Sequence, residues 1–451
     1  MIRLPEIAGL SSRKSIIRIP SEMDVPLTGR VSRLIDTADF RRLSHIAQLG
    51  LVPLVYPGAR HTRFEHSLGV YRLALRYVER LSSDERFDSI VSEKAAGLFI
   101  AAALLHDLGH WPYCHLIEDM ALPGVESHEQ RLEKRIGHSE IAEVLQQDWG
   151  IETAEVTRLL TGDTPTQEMR LLESMISGPI DIDKMDYLYR DSLHAGVPYG
   201  RHFDRERLIG SLCLNESGDS LAITDKGRTA AELMVFARYV MFSEVYWHHT
   251  VRSATAMLQR ALFLLWDSID LSEYETLSDF EFQQKIQRQA QDCGNQTAVK
   301  LLDSLFGTHR RLYKRVKEFS ILEDSEIVRR ISRKPFEWLV RCAENLAQLA
   351  AADLSIPIGS DEIIIDAPPA AKEVQFKVDI YFARERQYRR LQQVSPAVNA
   401  LATEQFDDYV KRARIFAAPE IAKDMQRISN YNLLLVRAAE ITDNQIEYIG
   451  H

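Results

Sequence analysis

Residues 93–115, EKAAGLFIAAALLHDLGHWPYCH, change character in the middle. From Ala95 to Leu105 every residue is apolar or glycine, eleven in a row. That run is short of the roughly 18 residues that span a bilayer, and a helix apolar all round belongs at the centre of a core. The next two residues, His106 and Asp107, are ionisable. A helix that deep cannot end in a histidine and an aspartate without giving them partners. His106, Asp107, His110 and His115 fall within ten residues, out of 14 histidines in 451 residues. Neutral imidazole and carboxylate are the usual ligands of borderline and hard divalent ions. Adjacent side chains point to opposite faces of a strand, whereas on a helix they differ by about 100° and can converge from its end.

Working outward, helical spacing dominates. Residues 29–49, 66–82 and 139–148 repeat apolar positions at three and four like 93–108, each with a polar face. Pro53, Pro57 and Gly58 interrupt the pattern ahead of His61-Thr-Arg-Phe-Glu-His66, which therefore opens a helix after a loop. Residues 207–225 alternate around Glu-Ser-Gly-Asp and predict a β-hairpin. A long helix is expected over 228–268, helix again through 271–350, then short strands at 362–366 and 375–382 and helix at 396–417. The expected fold is mostly α: a helical body at 1–350 with its core at about 60–195 and one β-hairpin, and a small α+β region at 351–451.

Composition excludes several classes. Apolar residues are 45% and charged residues 27%, ordinary globular values that leave no place for a disordered or fibrous chain. With 55 Lys+Arg against 65 Asp+Glu the net charge is −10, so nucleic acid is not expected as the main partner. The four cysteines are far apart with no CxxC pair, which suits a reducing cytosol. No apolar signal-peptide core and no membrane span is read, and the expectation is a cytoplasmic protein.

Two further segments bear on His106-Asp107. Arg63 and His66 are three apart on one helical face, a cation beside a candidate ligand. Asp181, Asp183, Asp186 and Asp191 gather four carboxylates in eleven residues, with Lys184, Tyr187 and Asp191 on one face. Taken singly, each has a bland reading as a solvated face or core packing. Together, His66, His106-Asp107 and Asp183 give the order H…HD…D, which resembles the HD-domain metal-dependent phosphohydrolases. The stretches Leu34-Ile-Asp-Thr, Phe40-Arg-Arg-Leu, Gln48-Leu-Gly, His61-Thr-Arg-Phe-Glu-His-Ser-Leu-Gly, His106-Asp-Leu-Gly-His and Asp183-Lys-Met-Asp-Tyr are similar to the deoxynucleoside triphosphate triphosphohydrolases within that family.

The resemblance implies hydrolysis of deoxynucleoside triphosphates to deoxynucleoside and inorganic triphosphate. It implies a divalent ion (Mn, Mg, Fe or Zn) on His66, His106, Asp107 and Asp183. His110, His115 and His128 match catalytic or phosphate-contacting histidines, and Glu118 stands where the animal enzyme has a supporting aspartate. Gln48, Leu49, Tyr187, Asp191 and Tyr246 match sugar-contacting positions, Arg63, Lys184 and Arg238 phosphate-holding cations. His110 is also four residues after His106, which on a helix places both on one face. Arg238 and Tyr246, eight apart on the expected long helix, can share a wall. Asp36, Arg207, Lys226 and His248 match a regulatory nucleotide site, and dimers or tetramers are implied. Three rivals stand beside this: a zinc peptidase, since HDLGH is one residue from HExxH; an HD phosphodiesterase or phosphatase acting on another nucleotide; and a nucleotide-binding regulatory protein without turnover.

Overall fold

The structure is a computed structural model that describes residues 2–12, 14–20, 23–137, 139–369, 377–402 and 410–449. Helices dominate. Met1–Pro112, Glu126–Met241 and Val374–Glu404 form one compact unit, and Tyr113–Val125, Phe242–Glu373 and Gln405–His451 a second. The 351–451 segment thus contributes 374–404 to the first unit and its remainder to the second.

Four helices carry the first unit: α1 (Arg63–Leu81), α2 (Glu93–Leu105), α3 (Ile182–Ala195) and α4 (Arg228–Met241). Each of the first three starts at a side chain that takes up an otherwise unpaired backbone N–H. Thr62 accepts from Glu65, Ser92 from Ala95 and Asp181 from Lys184. α2 is the apolar helix, buried from Ala95 through Leu105, and it packs against α1. Its large side chains, among them Phe99, Ile100 and Leu104 with no exposure, are each worth about 1.5–3 kcal/mol of burial. The expected hairpin is present as Leu212–Leu214 paired antiparallel to Leu221–Thr224. It continues into a four-stranded sheet through a parallel pairing with Asp379–Phe382, itself antiparallel to Gln387–Arg390.

The second unit holds α5 (His249–Leu265), α6 (Gln296–Phe306), α7 (Phe336–Leu354) and α8 (Tyr431–Ile449). Its three-stranded antiparallel sheet places Ala413–Ala417 between Lys314–Phe319 and Ile363–Asp366.

Three expectations change. The helix expected over 228–268 is broken: α4 ends at Met241, a wider π-type turn covers Phe242–Tyr246, and α5 starts afresh. The side chain of His248 accepts the Thr250 N–H and so caps a new helix. The helical angle between Arg238 and Tyr246 therefore does not apply. Lys314–Phe319 and Ala413–Ala417, both expected as helix, are strands. The latter is buried at all five positions, Arg414 included, and a five-residue run buried on both faces carries no period to separate strand from helix. Of the strand expected at 375–382, residues 375–376 lie outside the described residues.

Candidate metal centre

α2 stops at Leu105, so His106 and Asp107 project from its C-terminal end and not from a continuing helix. The chain turns at once: the Leu108 N–H reaches the Leu105 carbonyl and the His110 N–H the Asp107 carbonyl, each at 3.0 Å. The Arg42 guanidinium donates to the carbonyls of Leu108 (3.0 Å) and His110 (2.8 Å) and fastens this turn. His110 is thus brought back by a turn and not by the helical repeat. Its Nδ1 is 3.3 Å from Asp107 Oδ1, and its ring lies 4.1 Å from that of His128. Gly109 makes this approach possible. A Cβ there would stand under 3.0 Å from the His128 carbonyl oxygen and the Leu132 nitrogen, both backbone atoms that cannot swing aside. Gly109→Ala is expected to cost about 1–3 kcal/mol of stability through overpacking. It should lower kcat/KM as His128 is pushed from His110, read by calorimetry and steady-state kinetics.

α1 brings His66 to the same place and α3 brings Asp183. His66 Nε2 is 3.2 Å from His106 Nε2, 3.0 Å from Asp183 Oδ1 and 3.9 Å from Asp107 Oδ2. His106 Nε2 is 3.5 Å from Asp107 Oδ1 and 3.8 Å from Asp183 Oδ1. The outer nitrogens are tied down. His66 Nδ1 sits 2.9 Å from Asp186 Oδ2 and His106 Nδ1 2.9 Å from the Ala103 carbonyl. An N–H donated outward from each Nδ1 leaves each Nε2 with its lone pair toward the carboxylates, the arrangement that metal-ligating histidines adopt. Two imidazoles and two carboxylates with fixed tautomers fit a divalent cation of the Mn²⁺, Fe²⁺, Zn²⁺ or Mg²⁺ kind.

The four aspartates of 181–191 divide the work. Asp181 caps α3 and also holds the Lys184 ammonium at 2.7 Å. Asp183 faces the two histidines. Asp186 lies between His66 and Arg190, whose Nε and Nη2 each donate to it at 2.8 Å. Asp191 lies 2.8 Å from His61. Arg190 also donates to Glu65 at 2.6 Å, and Glu65 meets His194 at 2.8 Å. Gly69 lets α1 and α3 close on this cluster, because a Cβ there would stand under 3.0 Å from Asp186 Oδ1 and Arg190 Nη2.

The electrostatics follow. Burial depresses the His66 pKa, but hydrogen bonds to Asp183 and Asp186 and the Asp107 charge outweigh it and raise it to about 10. Burial works to raise Asp107, and Arg63, His110, His106 and His66 together hold it well below the usual range. Arg63 donates to Asp107 at 2.9 Å. Without a metal the cluster therefore keeps a proton on His66. A histidine raised from 6.5 to about 10 contributes stability that is complete below pH 6.5 and lost as pH climbs through 10. The metal-free chain should lose melting temperature over that window, while the stabilisation given by added Mn²⁺ should grow, since a ligating imidazole must be deprotonated. Scanning calorimetry from pH 6 to 10, with and without Mn²⁺, checks the opposite slopes.

The remaining expected site residues are placed as follows. Arg238, in α4, is buried; Tyr187 on α3 is half-buried. The Gln48 N–H donates to the His61 carbonyl at 3.0 Å, and Leu49 follows it. His115, Glu118, Tyr246 and His248 belong to the second unit. There His115 Nδ1 is 3.4 Å from Glu118 Oε2, and Tyr246 stands edge-on to Phe242 at 5.0 Å. Arg207 donates to the Lys226 carbonyl at 2.8 Å, and Asp36 ends the helix Gly29–Ile35. Sequence reasoning assigned no role to Asp186, Arg190, Glu65, His61, His194 or Arg42. The i, i+4 spacing of Asp186 and Arg190 was the one available signal.

With this geometry in hand, the comparisons are consistent. The HD domain model matches residues 63–191 and the HD associated region matches 203–443. The chain belongs to the HD-domain phosphohydrolases, a metal-dependent family. An uncharacterized protein of Methanocaldococcus jannaschii is 30% identical over 389 residues, 86% of this chain and 76% of that one. The human deoxynucleoside triphosphate triphosphohydrolase SAMHD1 is 30% identical over 288 residues, 57% of this chain and 45% of its own length. The alignment thus spans less than half of that enzyme. A crystal structure of a hypothetical protein from Aquifex aeolicus superposes with a TM-score of 0.69 at 28% identity, covering 91% of this chain and 98% of that one. Among the described residues no helix is long and apolar enough to cross a membrane.

Proposed function

We propose that this phosphohydrolase cleaves deoxynucleoside triphosphates at the α-phosphorus, releasing deoxynucleoside and inorganic triphosphate. The observation that carries the reading is the approach of His66, His106, Asp107 and Asp183 donor atoms to 3.0–3.9 Å, with Arg63 and Lys184 alongside. A divalent ion held by those four supplies Lewis-acid polarisation of a phosphoryl oxygen and lowers the pKa of water. Arg63 gives a forked donor to phosphate oxygens, and Lys184, whose ammonium burial opposes but Asp181 and its neighbours keep charged, gives a point charge. Arg238 is the third cation of this reading. His110 delivers a proton to the departing 5′-oxygen, and Asp107, 3.3 Å from its Nδ1, stabilises the imidazolium before transfer. Water adds to phosphorus as the bond to the 5′-oxygen breaks.

The test is to incubate the purified chain with Mn²⁺ or Mg²⁺ and each of the four dNTPs, and to follow triphosphate and nucleoside. One triphosphate per nucleoside supports the reading. Stepwise release of single phosphates, or rNTP hydrolysis at equal rate, would move the chain to a phosphatase or phosphodiesterase of the same family. A binding protein would bind nucleotide and turn none over. A dimer or tetramer accompanies this proposal, and light scattering decides it.

A further inference from the structure

The second unit has a cavity of its own, of about 360 Å³, at the small end of the roughly 300–1,000 Å³ of ligand pockets. Its lining sets three polar side chains among apolar walls that include Leu122, Phe336 and Leu339. Two of the polar groups, Arg252 and Gln259, are two turns apart on one face of α5 and only 7% and 5% exposed. Arg252 holds Asp366 through Nε and Nη2 at 3.1 and 2.6 Å, which leaves Nη1 without a partner among the described residues. Gln259 donates its Nε2–H to the Leu116 carbonyl at 2.7 Å, which leaves Oε1 in the same position. The third group is Asp119, directly after the helix Cys114–Glu118. Among the described residues nothing hydrogen-bonds to its carboxylate and no ion pair reaches it, although Arg252 is close enough for each to shift the other's pKa. Burial raises the Asp119 carboxyl above its ordinary value, and Arg252 is the first of the charges that draw it back. Two lining residues, Ala121 (φ 49°) and Arg333 (φ 62°), have left-handed backbones. Residues with a Cβ adopt that form only where their surroundings impose it, and such positions gather at ligand clamps.

These groups exclude most ligands. A phosphate would face Asp119 and Asp366. A simple amine would leave Arg252 Nη1 unmatched, and a hydrocarbon would cover all three polar groups without pairing them. Two further charges in the lining are already engaged, Lys334 with Asp443 at 3.4 Å and Glu337 with Arg341 at 2.7 Å. We propose that this cavity binds a free α-amino acid with an apolar side chain. Its ammonium donates to Asp119 and to Gln259 Oε1, its carboxylate accepts from Arg252 Nη1, and its side chain lies against Leu122, Phe336 and Leu339. An acid and a base that are near each other and not in contact suit such a zwitterion, whose two charges fill the gap between them. The site uses residues of the second unit alone and is independent of the nucleotide reading.

The experiment is calorimetric titration and thermal melting of the full chain with L-leucine and L-phenylalanine, without metal or nucleotide. At least one of them is expected to bind and to raise Tm with its concentration, as a ligand of the native state does. The analogue that lacks the carboxylate (isoamylamine or phenethylamine) and the one that lacks the amine (isocaproate or hydrocinnamate) should each bind at least about tenfold more weakly, because a charge-assisted hydrogen bond is lost and its protein partner is left unpaired. Asp119→Asn should weaken the amino acid about tenfold and leave the amine-free acid nearly where it was. Since the Asp119 carboxylate has no partner in the ligand-free chain, this variant should melt no lower than wild type before ligand is added. Failure of both amino acids to bind at millimolar concentration would overturn the inference. So would equal affinity for the amine-free or carboxylate-free analogue, or wild-type affinity in Asp119→Asn. An Asp119→Asn chain that melted earlier and bound the amino acid as before would show a merely structural carboxylate. No nucleotide enters the experiment, so its failure leaves the proposed function intact.

Discussion

Alanine in place of Asp183 is expected to reduce phosphohydrolysis by about a thousandfold or more, because a metal's charge stabilisation is worth several kcal/mol and each 1.36 is a factor of ten. The fold should survive, with the metal-free chain losing only the share of stability that the Asp183 hydrogen bond to protonated His66 supplies. A third of the Asp183 side chain, 33%, is exposed, and His66 keeps Asp186 on its other nitrogen. The contrast with Asp107 makes the test clean. Asp107 is buried against Arg63, and breaking a buried ion pair costs about 3–5 kcal/mol, so Asp107→Ala should lose fold and activity together. Three measurements on Asp183→Ala separate the cases: the hydrolysis rate, Mn²⁺ affinity by calorimetry and the melting temperature. A variant that kept wild-type turnover or wild-type Mn²⁺ affinity would falsify the ligand assignment.

What could be read in the sequence was chemistry carried by local spacing. The all-apolar run before His106 announced a buried helix, and the structure buries it throughout. The pairing of 212–214 with 221–224 followed from alternation around a turn. The reading failed where a residue's role depends on a distant partner. His110 was placed by a helical repeat that does not extend past Leu105; a turn fastened by Arg42, 66 and 68 positions away, brings it back. Asp186 read as one of four carboxylates on a charged stretch. Only the approach of α1 and α3 shows that it supports His66, 120 positions away. Gly69 and Gly109 carried no signal of their own, since their use is to leave room for atoms of other segments.

The net charge of −10 takes on a sharper meaning beside this site. Arg63, Lys184 and Arg190 are buried or half-buried among Asp107, Asp181, Asp183 and Asp186. The cations therefore serve first to hold carboxylates in place, and on the proposed function a divalent ion would add the positive charge that a triphosphate needs. Metal and substrate binding should be coupled on this account.

Asp186 is where that interdependence can be measured, and its replacement should produce the second large effect. Asp186→Ala removes the acceptor of His66 Nδ1 and two of the acceptors of Arg190. Arg190 would be left with Glu65 while 2% exposed, and a buried charge stripped of a partner costs about 3–5 kcal/mol, a large part of the roughly 5–15 kcal/mol of a whole domain. The alanine variant should therefore melt much earlier whether or not it binds metal. Asp186→Asn keeps the shape and an oxygen for the imidazole N–H but removes the charge that makes His66 a better ligand. Its Mn²⁺ affinity should fall about 10–100-fold, the usual effect of losing an outer-shell carboxylate. The same loss removes one of the interactions that hold His66 at about 10, so the decline of metal-free stability between pH 6.5 and 10 should become shallower in the asparagine variant. A wild-type Mn²⁺ affinity together with an unaltered pH slope would mean that Asp186 only packs against Arg190; a weaker affinity with a shallower slope ties it to the imidazole that faces Asp183.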